Sequence, residues 1–382
     1  MLKMLAASAA GVVCLAGCAS TIGLPHSSPS GFADAGSQAA GVRAHVALLY
    51  GEHTYVLAKL AVAAAAGRKD EYRSYAGLLA ANSDDLAAIF SRAAGESLGN
   101  QIGQALELGD GYYVDYLVAA VTNQNDAADA ATNNLNTKYV PQLAQLMSSS
   151  LNISASSATR MFSEEVVGTN QFLSVAAKGL AGAYGDVRAA YKTATATGAA
   201  LGEAIVWKFH DKYPGEAADS ASRVRTQLDA LLQEHAYLTS MATDAAANAG
   251  PSAEFPAAAS YLDESTPDLS SVIGTVFGVD VGNRALTIWL DQNRSFVAYA
   301  SASDDASRRD ALDGLNQRST PALTALLNSL HVSADVAAVT EEEIGVIDDQ
   351  RAKSYDVLAA EDRQSAVLLV SLGDLMMGTL AG

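Results

Sequence analysis

Cysteine is all but missing: the 382 residues hold two, Cys14 and Cys18, both near the N-terminus. No disulfide framework and no thiolate metal site can be built from such a pair further along the chain, so any core must stand on packing alone. Proline is scarce, with eight residues, and aromatics make up 7%, while alanine abounds. Few prolines and many Ala, Leu, Gln and Glu favour helices, because these residues lose little entropy there and proline breaks them. No stretch sustains the period-2 alternation of a sheet. Basic residues are outnumbered 24 to 42, for a net charge of -18. That excludes nucleic acid, whose phosphates want Lys and Arg, and docking to an anionic membrane surface through basic patches. A phosphate loop and a His-Glu-x-x-His pair are also absent. Gly95-Glu96-Ser97-Leu98-Gly99 matches Gly-x-Ser-x-Gly, but that motif needs a preceding strand. Here Leu86 to Arg92 read as helix, and the second occurrence, Gly278-Val279-Asp280-Val281-Gly282, has no Ser. It reads as a glycine-flanked turn between helices.

What is present begins with Met1-Leu2-Lys3, followed by an uncharged, mostly apolar run from Met4 to Gly17. That is the pattern of a signal peptide, too short to anchor in a bilayer. It closes with Leu15-Ala16-Gly17-Cys18, which resembles the bacterial lipobox. The resemblance implies a signal peptide over 1–17, removed on export, and Cys18 as a lipid-bearing first residue. Ala19 follows, so no Asp acts there as an inner-membrane retention signal. Residues 18–41, small and polar around Ser27-Ser28-Pro29-Ser30-Gly31, read as a flexible tether carrying His26. No later segment is apolar enough to span a membrane.

The remainder reads as a duplication. Glu52-His53-Thr54-Tyr55 recurs as Glu234-His235-Ala236-Tyr237, Asp85-Leu86 as Asp268-Leu269, and Gly95, Gly99 and Asn100 as Gly278, Gly282 and Asn283. Tyr113-Val114-x-Tyr116 recurs as Phe296-Val297-x-Tyr299, Pro141-x-Leu143-x-x-Leu146 as Pro321-x-Leu323-x-x-Leu326, and Gln171 as Gln350. The offset is about 182 residues and drifts to about 179, as short loop insertions would make it. Two copies are expected, 42–212 and 220–380, divided at Lys212-Tyr213-Pro214-Gly215.

Within each copy the period is helical. Val46, Leu49, Tyr50, His53, Leu57, Leu60 and Ala64 share one face of a first helix, as do Val224, Leu228, Leu231, His235, Leu238 and Ala242 in the second copy. Ser83-Asp84-Asp85-Leu86 and Thr266-Pro267-Asp268-Leu269 carry helix-start signals, Pro141 and Pro321 begin a helix each, and Ser156 caps another. The expected fold is all-α: tandem duplicated helical bundles of five or six helices per copy, the ferritin-like four-helix type being one form. Trp207, Phe209 and Trp289 are expected in the core.

Copy one resembles an uncharacterised family of small helical bacterial proteins with a first-helix motif Leu-aromatic-x-x-His-x-aromatic and two further His-bearing helices. Leu49-Tyr50-Gly51-Glu52-His53-Thr54-Tyr55 fits the first, and Leu117-Val118-Ala119-Ala120 fits the segment after the second His, where Asp110 stands instead. Met161-Phe162-Ser163-Glu164-Glu165-Val166-Val167-Gly168-Thr169 fits the third, with Glu165 in place of His. The resemblance covers most of 45–209, is patchy in copy two, and implies a helical bundle without an assigned activity.

It also marks three positions, His53, Asp110 and Glu165, all of metal-ligand type; copy two offers His235, Asn293 and Glu343. A carboxylate on the apolar stripe of Glu165 must be paired, protonated or metal-bound. The competing readings are a buried, hydrogen-bonded His53 and His235, an Asp110 that caps a helix or turn between Gly109 and Gly111, and a Glu165 paired with Lys178, Arg160 or Lys59. Glu341-Glu342-Glu343 reads as a solvated helix start. His45, His210 and His331 have no counterpart in the other copy. With no catalytic signature, the expected function is a membrane-anchored, non-enzymatic envelope lipoprotein with a binding or structural role. The alternative is a metal-binding, ferritin-like lipoprotein, the metal ion being its only candidate cofactor.

Overall fold

The computed structural model describes residues 35–248 and 254–380. The signal segment 1–17, Cys18, most of the tether and His26 lie outside them. Helix accounts for 87% of the structure and, among the described residues, there is no strand.

Two helix series follow one another. The first is α1 (Gln38–Ala65), α2 (Lys69–Ala94), α3 (Glu96–Val121), α4 (Asn125–Asn134), α5 (Val140–Leu151), α6 (Ala155–Ala176) and α7 (Tyr184–Lys208). The second is α8 (Ser220–Asn248), α9 (Glu254–Phe277), α10 (Val279–Ser301), α11 (Asp305–Gly314), α12 (Thr320–Ser329), α13 (Val336–Ala352) and α14 (Leu358–Gly378). A π turn at Leu135–Tyr139 joins α4 to α5, and another at Leu315–Ser319 joins α11 to α12. Pro141 and Pro321 therefore stand at the start of a helical segment, but inside a continuous rod. The Val140 and Thr320 N–H groups reach back five residues, to Leu135 and Leu315, just before the proline that has no N–H to give. Counted as rods, each series has six.

α1 and α8 form the centre. The sequence shows one apolar face on each, yet α1 is buried on nearly every side from Leu49 to Ala63, and α8 from Leu228 to Ala245. Small residues make this close surround workable. A Cβ at Gly198 of α7 would meet the Val46 carbonyl oxygen of α1 at 2.5 Å, and one at Gly373 of α14 would meet Leu232 of α8 at 2.7 Å. α1 packs on α8, α2 on α14 and α7 on α9. Exchanging the two series exchanges these contacts, so the halves meet through a pseudo-twofold, self-complementary interface. The rings of Tyr55 and Tyr237 stack face to face across it, 5.2 Å apart and inclined by 6°.

Several local expectations give way to tertiary contacts. Ser83 and Pro267 begin no helix: α2 and α9 run straight through them, and Pro267 costs α9 one backbone hydrogen bond. The Ser83 hydroxyl is turned to Asp110, and that of Thr266 to the Leu262 carbonyl one turn back. The cap of α6 is Ser154, not Ser156. Gln171 is exposed while Gln350 is fully buried, so the two do not occupy equivalent places; Phe172 is the buried residue of α6 at that level. Glu343 is no solvated start either, since it lies about two turns inside α13 and is buried. Trp207 is 66% exposed, whereas Trp289 is core. Trp207 follows Ile205 and Val206 on α7 and falls on the face opposite their buried stripe. The turn Gly95 is as expected: it and Gly278 hold φ near +101° and +103° at the starts of α3 and α10.

Candidate functional site

The strongest electrostatic feature lies on the pseudo-twofold. Glu52 of α1 is buried and is gripped by Arg363 of α14: Nε donates to Oε1 at 2.9 Å, and a second guanidinium nitrogen donates to Oε2. Tyr237 donates to the same carboxylate at 3.0 Å and Asn82 at 2.7 Å. Arg363 also reaches Asp85 at 2.9 Å. The counterpart repeats this. Glu234 of α8 receives Arg188 of α7 at 3.1 and 3.2 Å, and Arg188 continues to Asp268 at 3.1 Å. Each clamp joins an acid of one half to an arginine of the other. Tyr55 completes the pattern less fully than Tyr237, for its hydroxyl makes no hydrogen bond. The sequence shows Glu52/Glu234 and Asp85/Asp268 as repeats, but its local patterns do not point to either arginine. A signal for them exists: one Arg near the same place in the last helix of each copy.

A second buried network has no symmetric partner. Lys59, 1% exposed, pairs with Asp362 at 3.2 Å and donates to Ser240 at 2.9 Å. Tyr75 and Ser240 donate to Asp362, and Gln350 donates to the Ser240 carbonyl at 2.9 Å. In the second half Met241 follows Ser240 at the level of Lys59, so a thioether replaces the cation. Nearby, Glu343 accepts from Ser365.

Of the two candidate ligand sets, one is gathered and one is not. His53 Nε2 and Asp110 Oδ1 are 2.7 Å apart, and Ser83 donates to Asp110 Oδ2 at 2.7 Å. Asp110 is thus neither cap nor turn residue; it sits in mid-α3. Gly109 precedes it because the Tyr139 ring lies 2.5 Å from where a Cβ would stand. Glu165 is close enough for its charge to act on both residues, yet its Oε2 has no partner. None of the three cations proposed for it is its partner; Lys59 is engaged by Asp362. Burial alone would lower the His53 pKa, but the charge and hydrogen bond of Asp110, helped by Glu165 and Glu52, raise it. Burial pushes Glu165 up to about 7, Asp110 adding to the rise and His53 opposing it.

His235 is different. Burial lowers its pKa to about 4, with no carboxylate acting on it, and its Nδ1 has no partner. It stands edge-on to Trp289. Asn293 is turned to Thr266 at 3.1 Å and Asp263 at 3.3 Å, while Glu343 belongs to the Ser365 group. Among the described residues, no group of three or more His, Cys, Asp or Glu is arranged to hold a metal ion. The Asp110→Asn variant should therefore drop the His53 pKa below 6.5, toward that of His235, in an NMR titration of the imidazoles. An unchanged His53 would mean that Asp110 does not control it.

Comparison with family models, with curated proteins and with solved structures finds no match to this chain. No helix of the described residues is long and apolar enough to cross a membrane.

Proposed function

We propose that the protein is an exported cell-envelope component, anchored by lipid at Cys18, whose two helical copies act together as a binding or structural body rather than as an enzyme. The observation that carries the non-catalytic part is where the ionisable side chains go. Glu52, Glu234, Arg188 and Arg363 are spent on one another across the pseudo-twofold, and Lys59 on Asp362. They join the halves, and among them only Glu234 also lines an open hollow, of about 480 Å³, whereas a catalytic set would converge on one cavity. The lipobox Leu15-Ala16-Gly17-Cys18 supports the anchor.

Metabolic labelling with a palmitate analogue, followed by membrane fractionation, tests the anchor. The intact chain should carry label and sediment with membranes, and Cys18→Ala should lose both. A Cys18→Ala protein that stays labelled and membrane-bound would sink this reading.

The metal alternative has one observation in its favour, the meeting of His53, Asp110 and Glu165, and against it the hydrogen bond that already occupies His53 Nε2. Elemental analysis of the purified protein beside His53→Ala decides it. Stoichiometric metal that the substitution removes would establish that alternative. Without metal, His53 is a core histidine.

A further inference from the structure

Cys14 and Cys18 are the chain's two cysteines, so a covalent tie between its halves needs another chemistry. The groups for one are gathered around Lys59. Lys59 of α1 and Asp362 of α14 come from different halves, and their side chains are 2% and 1% exposed. Lys59 Nζ lies 3.2 Å from Asp362 Oδ2, and the carboxyl carbon is one bond further. Ser240 of α8 bridges the pair: its Oγ accepts from Nζ at 2.9 Å and donates to Oδ1 at 2.6 Å. Gln350 fixes Ser240 by donating to its carbonyl at 2.9 Å and to its hydroxyl at 3.2 Å. Tyr75 donates to Oδ2, and its ring centre lies 5.3 Å from Nζ. An amine, a carboxyl group, a hydroxyl linking them and a donor on the remaining oxygen thus meet in one closed site.

The pseudo-twofold supplies an internal control. In the register that pairs His53 with His235, Asp85 with Asp268 and Arg363 with Arg188, the places of Lys59, Tyr75, Ser240 and Asp362 are taken by Met241, Ala258, Ala58 and Val187. All four of these are buried, so packing at this level is met by apolar side chains alone. A buried ion pair is no better for stability than such residues, because taking two charges out of water costs about what their attraction returns. The polar quartet therefore calls for a role other than packing.

We propose that Lys59 and Asp362 close an intramolecular isopeptide bond, formed by the folded chain itself, which ties the two halves together covalently. A proton passes from the Lys59 ammonium to the Asp362 carboxylate, giving an amine and a carboxylic acid. In a site this closed to solvent, neither charge has the hydration that would hold it. The amine lone pair attacks Cγ and the C–N bond forms, while Tyr75 steadies the charge that develops on Oδ2. A second proton passes from the nitrogen through Ser240 Oγ to Oδ1. The Cγ–Oδ1 bond then breaks and Oδ1 leaves as water with both protons. One –NH3+ and one –COO− have become –CO–NH– and H2O, with no oxidant, reductant or further reactant, and one positive and one negative charge disappear together. Free amines and acids do not condense in water. Groups held in contact by a fold react at effective concentrations on the order of 10⁵ M or more. The proposal goes beyond the envelope reading and does not depend on the lipid, which the Cys18 labelling reads separately.

Tryptic digestion of the full-length protein, unfolded in urea and read by mass spectrometry, is the test. The expected main product joins residues 44–68 to residues 354–363, uncleaved after Lys59 and lighter than the two peptides together by one water. Tandem fragmentation should place the branch at Lys59 and Asp362. Ser240→Ala installs the other half's Ala58, keeps the reacting pair and removes the relay, so the linked product should accumulate on the order of 100-fold more slowly. Lys59→Met with Asp362→Val, the other half's own pair, should fold and yield the two peptides unlinked. Separate peptides 44–59 and 354–363 as the main products of the parent, even after prolonged incubation of the folded protein, would leave a plain ion pair and overturn the proposal. A branch at Glu361 in place of Asp362, or linking in Ser240→Ala as fast as in the parent, would overturn the chemistry assigned to the site.

Discussion

Arg363→Ala is expected to cost the folded protein about 3–5 kcal/mol, because it strands a buried carboxylate. Glu52 is 4% exposed, and without the guanidinium it keeps only the neutral donors Tyr237 and Asn82. The loss at Asp85 adds little, since that carboxylate is half exposed. Arg188→Ala should behave alike, for Glu234 is fully buried and is held by the same fork. Replacing both partners, Glu52→Leu with Arg363→Met, should cost less than Arg363→Ala alone, because no charge is then left behind. Urea denaturation midpoints read all of these variants. A loss under about 1 kcal/mol in both single arginine variants would mean that the clamps contribute no more than surface pairs.

The second large effect is on pH dependence. Burial pushes Glu343 up to about 8, with Asp362 and Glu342 adding to the rise and Ser365 and Lys59 opposing it. Glu165 and Glu71 are pushed up to about 7, also chiefly by burial. An acid with a raised folded-state pKa holds its proton longer in the folded than in the unfolded chain, so stability falls as pH rises from the unfolded value of 4.5 through the folded one. His235, lowered to about 4, acts in the opposite direction and removes stability as pH falls below 6.5. The acids outnumber it, and stability should peak near about pH 5 to 6 and decline toward 8. Glu343→Gln keeps a carbonyl oxygen for Ser365 and removes the titration. At pH 5 it should exceed the parent by no more than about 1 kcal/mol. At pH 8 it should be more stable by on the order of 4 kcal/mol, since each tenfold change in proton affinity is worth about 1.4 kcal/mol. Parallel pH profiles for the two proteins would show that Glu343 does not titrate in this window.

The all-helical fold was legible in composition and period, and the repeat of Glu52-His53-x-Tyr55 marked the two helices that became the centre. What period alone hid was their burial on every side. Alanine, glycine, serine and threonine carry little hydropathy signal, yet they let α7 and α14 approach closely. Local patterns failed wherever a distant residue supplied the partner. Ser83 looks like a cap until Asp110 is found beside it, and Asp110 looks like a turn residue until Tyr139 accounts for its neighbouring glycine. The gathering of His53, Asp110 and Glu165 followed from matched positions in the first copy. The same reasoning did not gather His235, Asn293 and Glu343, because Asn293 carries no charge to hold an imidazole and Glu343 faces Ser365. Arg363 lies 311 residues from Glu52 in the chain, a distance at which no local pattern speaks.

The central claim is that the two helix series form one interlocked body. Trp207 and Trp289 are the chain's two tryptophans, and Trp289 lies in the core of the second half. In a Trp207→Phe background, Trp289 fluorescence therefore reports the second half alone, while far-ultraviolet circular dichroism reports every helix. Adding Leu57→Ala to this background would open a cavity in the first half, at a fully buried site on α1. If the halves are one cooperative unit, the two signals trace a single urea transition, and Leu57→Ala moves the Trp289 curve as far as the dichroism curve. A Trp289 transition that stays where it was while part of the helix signal melts earlier would contradict the account.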